Sequence, residues 1–274
     1  AVFDYTPRGK NHGYDLYKMA QGNPDWFCEL LTVDDTYKDG GTMSPAMIEG
    51  ERARGAEENF IRQEYYCDFD AAIENAVFGD EMLVMRQEGR IRDVPREIKA
   101  PVDTFWDIGF DDPTAIVFAQ YIRGEVRVID YFESRLEKFE DYIKVLKDKP
   151  YIYGRHVFPH DAGYHDFKTG ETTQETGRKF GFYIEIAEKL SKQDQVFNLR
   201  SLLTKTYIDK VKAEKVVDAL SYYHYDYDEE RKILSRNAIH DWSSHCCDAL
   251  MVMACNISEA QKAKPLVYPK MGIV

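Results

Sequence analysis

Three carboxylates interrupt stretches that would otherwise build a hydrophobic core, and any fold of this chain must accommodate them: Asp107 in TFWDIGF, Asp161 in VFPHDAG and Asp248 in SHCCDAL. Asp107 and Asp161 each end an apolar run, and Asp248 lies in a helical pattern with apolar residues close by on both sides. Like charges crowded into a dry pocket repel one another and take up protons unless a divalent cation neutralises them. Folding is therefore expected to gather these three residues around metal.

The pattern becomes regular from Val102 onward. Strand candidates at 102–109, 114–121 and 125–133 follow one another closely, the first pair joined by FDDP and the second by residues 122–124, which predicts an antiparallel meander. A helix over 136–148, a strand over 155–160, a helix over 173–180 stopped by Gly181, and the strand FYIEI come next. The remainder reads as mostly helical, with a short strand near 232–234 and a last helix over 241–257. Hairpin strands followed by alternating helices and strands imply an α/β fold, a mixed sheet flanked by helices. Upstream, residues 44–75 read as a short helix followed by a packed aromatic stretch. The polar passage QEGRIRDVPREIKAP, punctuated by Pro95 and Pro101, marks a boundary. The expected division is a smaller, mostly helical segment over 1–95, the main domain over 96–260 and a tail over 261–274.

On the last helix, the 100° step per residue places Trp242, Cys246, Ala249, Leu250, Met253 and Ile257 on one core face. The same step puts Asp241, His245 and Asp248 in an adjacent stripe. Asp241 reads equally well as an N-cap, and His245 as a partner that orients a carboxylate more readily than as a ligand. Asp161 reads alternatively as a cap or turn residue before Gly163. Strand alternation puts Asp107 on the face of Phe105, and Gly109 leaves room for a metal or phosphate. Two divalent ions about 4 Å apart, held by three carboxylates, can activate water and stabilise a leaving oxygen in phosphodiester hydrolysis. Oxygen donors favour Mg²⁺ or Mn²⁺, with Asp107 bridging and Asp161 and Asp248 each binding one ion.

Composition narrows the alternatives. Five cysteines without a CxxC pair support neither a disulfide framework nor a zinc site, and they are expected to be reduced and structural. No apolar run approaches the roughly 20 residues of a membrane span, so no membrane association is expected. A formal net charge of -12 argues against a protein that coats DNA, although not against an enzyme that meets it briefly. Arg200, Lys205, Lys210, Lys212 and Lys215 form the best candidate DNA-facing patch, with a solvated helix face as the equal alternative. Lys168, in the loop after Asp161, is a weaker candidate for a phosphate contact near the metals, and the run Tyr222–Tyr227 reads as packing more readily than as base stacking.

Taken in order, DIGFDDPTA, PHDA and HDWSSHCCDAL resemble the C-terminal nuclease domain of the large terminase subunit of tailed bacteriophages, an RNase H-like domain. The resemblance covers residues 100–258, and the last motif is its most specific part. It implies that Asp107, Asp161 and Asp248 are the metal-binding catalytic acids of a DNA endonuclease. Such an enzyme cuts concatemeric double-stranded DNA at the start and end of packaging. TPRGKNHGYDLYKMAQ and FIRQEYYCDF are similar to the end of the terminase ATPase domain and the segment that follows it. The chain begins with Ala and is expected to be a fragment. It contains no GxxxxGK[ST], so no ATP hydrolysis is expected from it alone.

The resemblance further implies double-stranded DNA, the small terminase subunit and the portal of the procapsid as partners, with a ring formed only on the portal. It places the protein in the host cytoplasm, transiently on the procapsid and absent from the mature virion. Three rival readings are weaker. A phosphotransferase of the actin or hexokinase type needs a late Gly-Gly loop, and the only such pair is Gly40-Gly41. A transposase or junction resolvase would share the acids but not the motor-like N-terminal segment. A non-catalytic portal-docking domain has no support in a chain that keeps all three acids.

Overall fold

The computed structural model describes residues 1–10, 12–71, 73, 75–109, 112–135, 138–163, 172–228 and 233–257. Short helices come first: α1 (His12–Gln21), α2 (Val33–Lys38), α3 (Pro45–Ala53), α4 (Glu58–Tyr66) and α5 (Gly79–Gln87). Then follow β1 (Ile91–Arg92), β2 (Val102–Asp107), β3 (Thr114–Ile122), β4 (Glu125–Ser134), α6 (Phe139–Asp148), β5 (Tyr153–Phe158), a 3₁₀ turn (His160–Gly163), α7 (Thr173–Lys179) and β6 (Ile184–Ile186). The chain continues with α8 (Lys192–Leu203), β7 (Thr206–Asp209), α9 (Glu214–Tyr222), the hairpin β8 (Tyr225–Asp228) and β9 (Ile233–Ala238), and α10 (Ser244–Asn256).

Seven strands form one sheet in the order β1-β7-β4-β3-β2-β5-β6, and β3 alone runs antiparallel to the rest. The expected meander β2-β3-β4 is its centre, extended through β5 and β6 on one side. This is the RNase H-like arrangement that the motifs implied, with β7 and β1 added at the other edge.

Pleating sends adjacent residues of β2 to opposite faces, and both faces are buried. Phe105 joins Val117, Val157 and the apolar sides of α5, α8, α9 and α10, while Trp106 joins Phe118, Phe158, Tyr142 and Leu146 on the α6 side. Val33, Ile48 and Ile61 make a separate small core for α2, α3 and α4. The FIRQEYY stretch, read as a packed aromatic segment, is largely helix α4, ended by Cys67 in the left-handed conformation at φ 52°. The division expected between residues 95 and 96 is crossed by this packing. Phe78, Met82 and Met85 belong to the sheet's own core, and β1 pairs with β7.

Residues 206–209, expected to be helical, form β7 inside the sheet, with Asp209 accepting hydrogen bonds from the backbone of Val94, Val211 and Lys212. The short strand expected near 232–234 is the start of the longer β9, although Lys232 itself lies outside the described residues. So does the expected tail, 261–274.

Beneath β2, Trp106 Nε1 donates to Thr104 Oγ1 at 2.8 Å, and Thr104 Oγ1 lies 2.7 Å from His156 Nδ1. The Thr104 hydroxyl therefore links the indole N–H, which only donates, to the buried His156 ring. Burial holds His156 down at about 4, against an ordinary 6.5. The unfolded chain binds this proton below pH 6.5 and the folded one only near 4, so stability falls as pH drops through that window. The slope is at most about 1.4 kcal/mol per pH unit. Urea denaturation from pH 7 to 4 should show a shallower pH dependence in His156→Gln than in the parent chain.

Candidate active site

Asp107 closes β2 on the face that carries α10, opposite Ala115 of β3. Ala115 in turn faces Glu133 of β4. Directly paired residues point to the same side of a sheet, so Asp107, Ala115 and Glu133 form one row with a small side chain in the middle. Glu133 accepts a hydrogen bond from the Tyr131 hydroxyl and an ion pair from Lys215 Nζ at 2.7 Å, and its side chain is 9% exposed. Nothing in the sequence reading marked it.

Helix α10 supplies the other half of the site. It starts at Ser244, not at Asp241, because Asp241 ties up the turn before it. The Asp241 Oδ1 atom accepts from Ser243 N at 2.8 Å and Ser243 Oγ at 2.6 Å, and Ser244 Oγ accepts from Asp241 N at 2.9 Å. Asp241 is therefore a turn residue outside the stripe, and Trp242, expected in the core face, is partly exposed beside Tyr222. His245 does orient a carboxylate: its Nδ1 lies 3.1 Å from Asp107 Oδ2. Asp248, one turn further, holds Lys192 Nζ at 2.5 Å. Lys192 opens α8, whose first turn is capped by Ser191. It too escaped the sequence reading, since no local pattern links it to residue 248.

Electrostatics bind these groups into one unit. Burial holds the Asp107 carboxyl above the ordinary carboxylate range, and the charge of Asp248 pushes the same way against the His245 hydrogen bond. The His245 imidazole is raised by that hydrogen bond, against its own burial. Both shifts favour a proton held between Asp107 and His245, and a cation at Asp107 would displace it.

Asp161 lies in the 3₁₀ turn just after β5, the parallel neighbour of β2, so it leaves the sheet at the same end as Asp107. It is exposed. The structure thus brings Asp107 and Asp248 together and sets Asp161 on the same edge. Lys168 lies outside the described residues.

Gly109 has a different reason from the one expected. A Cβ there would meet the backbone oxygen of Asp112 at 2.2 Å and that of Pro113 at 2.9 Å, so the turn's own backbone fills the space foreseen for a metal or phosphate. That turn presents Asp112 to His240, Oδ2 to Nε2 at 3.6 Å, and the His240 and His245 rings stand edge to face at 5.4 Å.

The basic run does not form one helical face. Arg200 binds the Val77 carbonyl, Lys205 lies over Tyr121, Lys210 pairs with Asp93 and Lys215 with Glu133, spread across α8, β7 and α9. In the aromatic run Tyr223 is buried against Phe78, as the packing reading expected. All five cysteines are free thiols, and Cys246 and Cys247 are buried in α10.

No family model matches the chain. The large terminase subunit of Escherichia phage T5 is 26% identical over 275 residues, covering 95% of this chain and 59% of that protein. A large terminase from a thermophilic bacteriophage, solved in complex with ADP, superposes with a TM-score of 0.51 at 16% identity, over 93% of this chain and 61% of that one. A large terminase nuclease from thermophilic phage G20c with bound cobalt superposes at 0.46 and 12% identity, over 66% of this chain and 97% of that one. The chain spans about three fifths of the T5 protein and of the terminase solved with ADP.

The turn makes a prediction of its own. Gly109→Ala should lower stability by about 1–3 kcal/mol, the usual cost of forcing atoms into filled space, because the clash is with backbone and cannot be relieved by a rotamer change. Denaturant midpoints of the two chains decide it. In sequence over nearly its whole length, and in fold, this chain is similar to phage large terminase subunits.

Proposed function

We propose that this chain is the nuclease-bearing part of a large terminase subunit, a metal-dependent endonuclease that cuts concatemeric double-stranded DNA when packaging begins and ends. One observation carries the reading. Asp107 and Asp248, 141 positions apart in sequence, meet on one sheet end where burial and mutual repulsion leave Asp107 short of positive charge. Oxygen donors in that condition suit a hard divalent ion, Mg²⁺ or Mn²⁺.

Asp107, Asp248 and Asp161 would hold the ions, two in number. Bound there, divalent ions supply an activated water and stabilise the leaving oxygen. The chain's own residues do the rest. His245 fixes the Asp107 carboxylate by its hydrogen bond, Ser243 and Asp241 set the start of α10, and Lys192 holds Asp248 until a cation takes its place. Asp161, on the turn after β5, would complete the set from the same end of the sheet.

The remaining expectations belong to the same proposal. The partners would be double-stranded DNA, the small terminase subunit and the portal of the procapsid, with a ring formed only there. The protein would work in the host cytoplasm and be absent from the mature virion. Hydrolysis of ATP would require residues beyond this chain. Among the described residues no helix is long and apolar enough to cross a membrane.

Supercoiled plasmid incubated with the chain in Mg²⁺, Mn²⁺ or EDTA tests the reading. Nicking and linearisation should need the metal. Asp107→Asn and Asp248→Asn should each cut the rate on the order of a thousandfold, the several kcal/mol that such an ion contributes. Asp161→Asn should fall with them. Cutting that persists in EDTA, or in folded Asp107→Asn, would overturn the assignment.

A further inference from the structure

We propose that Asp112, His240 and His245 form a second cation site, apart from the three carboxylates, that takes an ion with affinity for imidazole, such as Mn²⁺, Co²⁺ or Zn²⁺, in preference to Mg²⁺. One donor atom from each of the three residues lies within 4.8 Å of the other two. Ligands about 2.0–2.2 Å from one ion stand at most about 4.4 Å apart, so closure needs only small side-chain movements. Asp112 and His240 have that freedom, with side chains 57% and 69% exposed, while His245 is held in place.

The orientation of His245 is the second, independent observation. Its Nδ1 faces Asp107 at 3.1 Å, which leaves Nε2 as its unengaged nitrogen, and its ring stands beside that of His240. A histidine ligand commonly donates its other ring N–H to a carboxylate, which fixes the tautomer and makes the free nitrogen a better donor. Asp107 and His245 already have this arrangement. Two imidazoles and one carboxylate suit Mn²⁺, Co²⁺ or Zn²⁺, whereas Mg²⁺ prefers oxygen and keeps its waters. The competing account is a solvent-exposed ion pair between His240 and Asp112, which is weak and does not call for a buried, oriented His245 beside it.

The site is distinct from the carboxylate set, since Asp107 enters it by hydrogen bond and not by coordination. An ion on Nε2 would nevertheless lock Nδ1 as the donor to Asp107, which links occupancy here to the orientation of the bridging acid of the proposed nuclease site. The proposal does not rest on nuclease activity, and its test reads binding directly.

The chain is titrated with CoCl₂ while visible absorption and heat are recorded, alone and in a large excess of MgCl₂. His240→Ala, Asp112→Asn and Asp248→Asn are compared, with circular dichroism as the check on folding. The parent and Asp248→Asn should show a Co²⁺ absorption band of an imidazole-bound ion that Mg²⁺ does not remove. That band should weaken by roughly 100-fold or more in affinity in His240→Ala, beyond the range for outer partners, and it should weaken in Asp112→Asn as well. A band unchanged in His240→Ala, lost in Asp248→Asn, or displaced by Mg²⁺ would each overturn the proposal.

Discussion

Helix α10 is buried on nearly every side, and the relation between Asp107 and Asp248 depends on that burial. From Ser244 to Met253 only Asp248 and Val252 escape full burial, and the helix packs on β2 and β3 below and on α8 and α9 at its flanks. Each fully buried aliphatic side chain contributes about 1.5–3 kcal/mol, so Leu250, Met251 and Met253 together outweigh any polar contact at the site. Packing therefore fixes the helix axis, and the axis fixes which of its residues reach the end of β2. His245 and Asp248, three positions apart, fall on the side facing that end. The hydrogen bond from His245 to Asp107 does not hold the helix in place; it uses a position that apolar burial has already set.

The N-terminal segment is tied to the same framework by charge. Lys10 Nζ lies 2.8 Å from Asp218 on α9 and 3.3 Å from both Glu214 and Asp70. Glu214 and Asp70 are mostly exposed and contribute little, whereas Asp218 is 22% exposed and makes the short contact. Arg86 of α5 adds a hydrogen bond to Ser221 at the other end of α9. Tyr222, the last residue of that helix, packs on Trp242 in the turn before α10. A continuous set of contacts thus runs from the N-terminal residues to the turn that sets the start of α10.

The elements legible in the sequence are those whose pattern is local. The meander, α7 and its stop at Gly181, and the orienting role of His245 follow from alternation, turn residues and helical spacing. Glu133 is not legible, for a specific reason. Counting back from the turn after Ile122 pairs Ile122 with Glu125 and Ala119 with Val128, which on a regular ladder would set Phe132 opposite Ala115. A bulge between Phe118 and Ala119 shifts the register by one, and a one-residue shift carries Glu133 to the face of Asp107. Strand β7 escapes a local reading because TYID is short and lies among charged residues that suggest a solvated helix. Its burial depends on β1 and β4, which no local window contains. Lys192, Asp112 and His240 reach the site only through tertiary packing.

The distribution of positive charge favours Asp107 as the acid that would take up a cation in the proposed site. Asp248 has Lys192, the first residue of α8, and Glu133 has Lys215, from the first turn of α9. Asp107, more buried than Asp248, has no lysine or arginine in ion-pair contact among the described residues; Lys192 acts on it only from its place on Asp248, and its direct partner is the His245 imidazole, a full cation only when it keeps the shared proton. A lysine there would compensate the charge permanently, as at Glu133, and would leave no reason for a metal to bind. An imidazole compensates it conditionally: when a cation arrives, the proton can leave and the hydrogen bond remains. The pairing of this carboxylate with a histidine, while its neighbours have lysines, makes its charge exchangeable, and exchangeable charge is what a metal-dependent site requires.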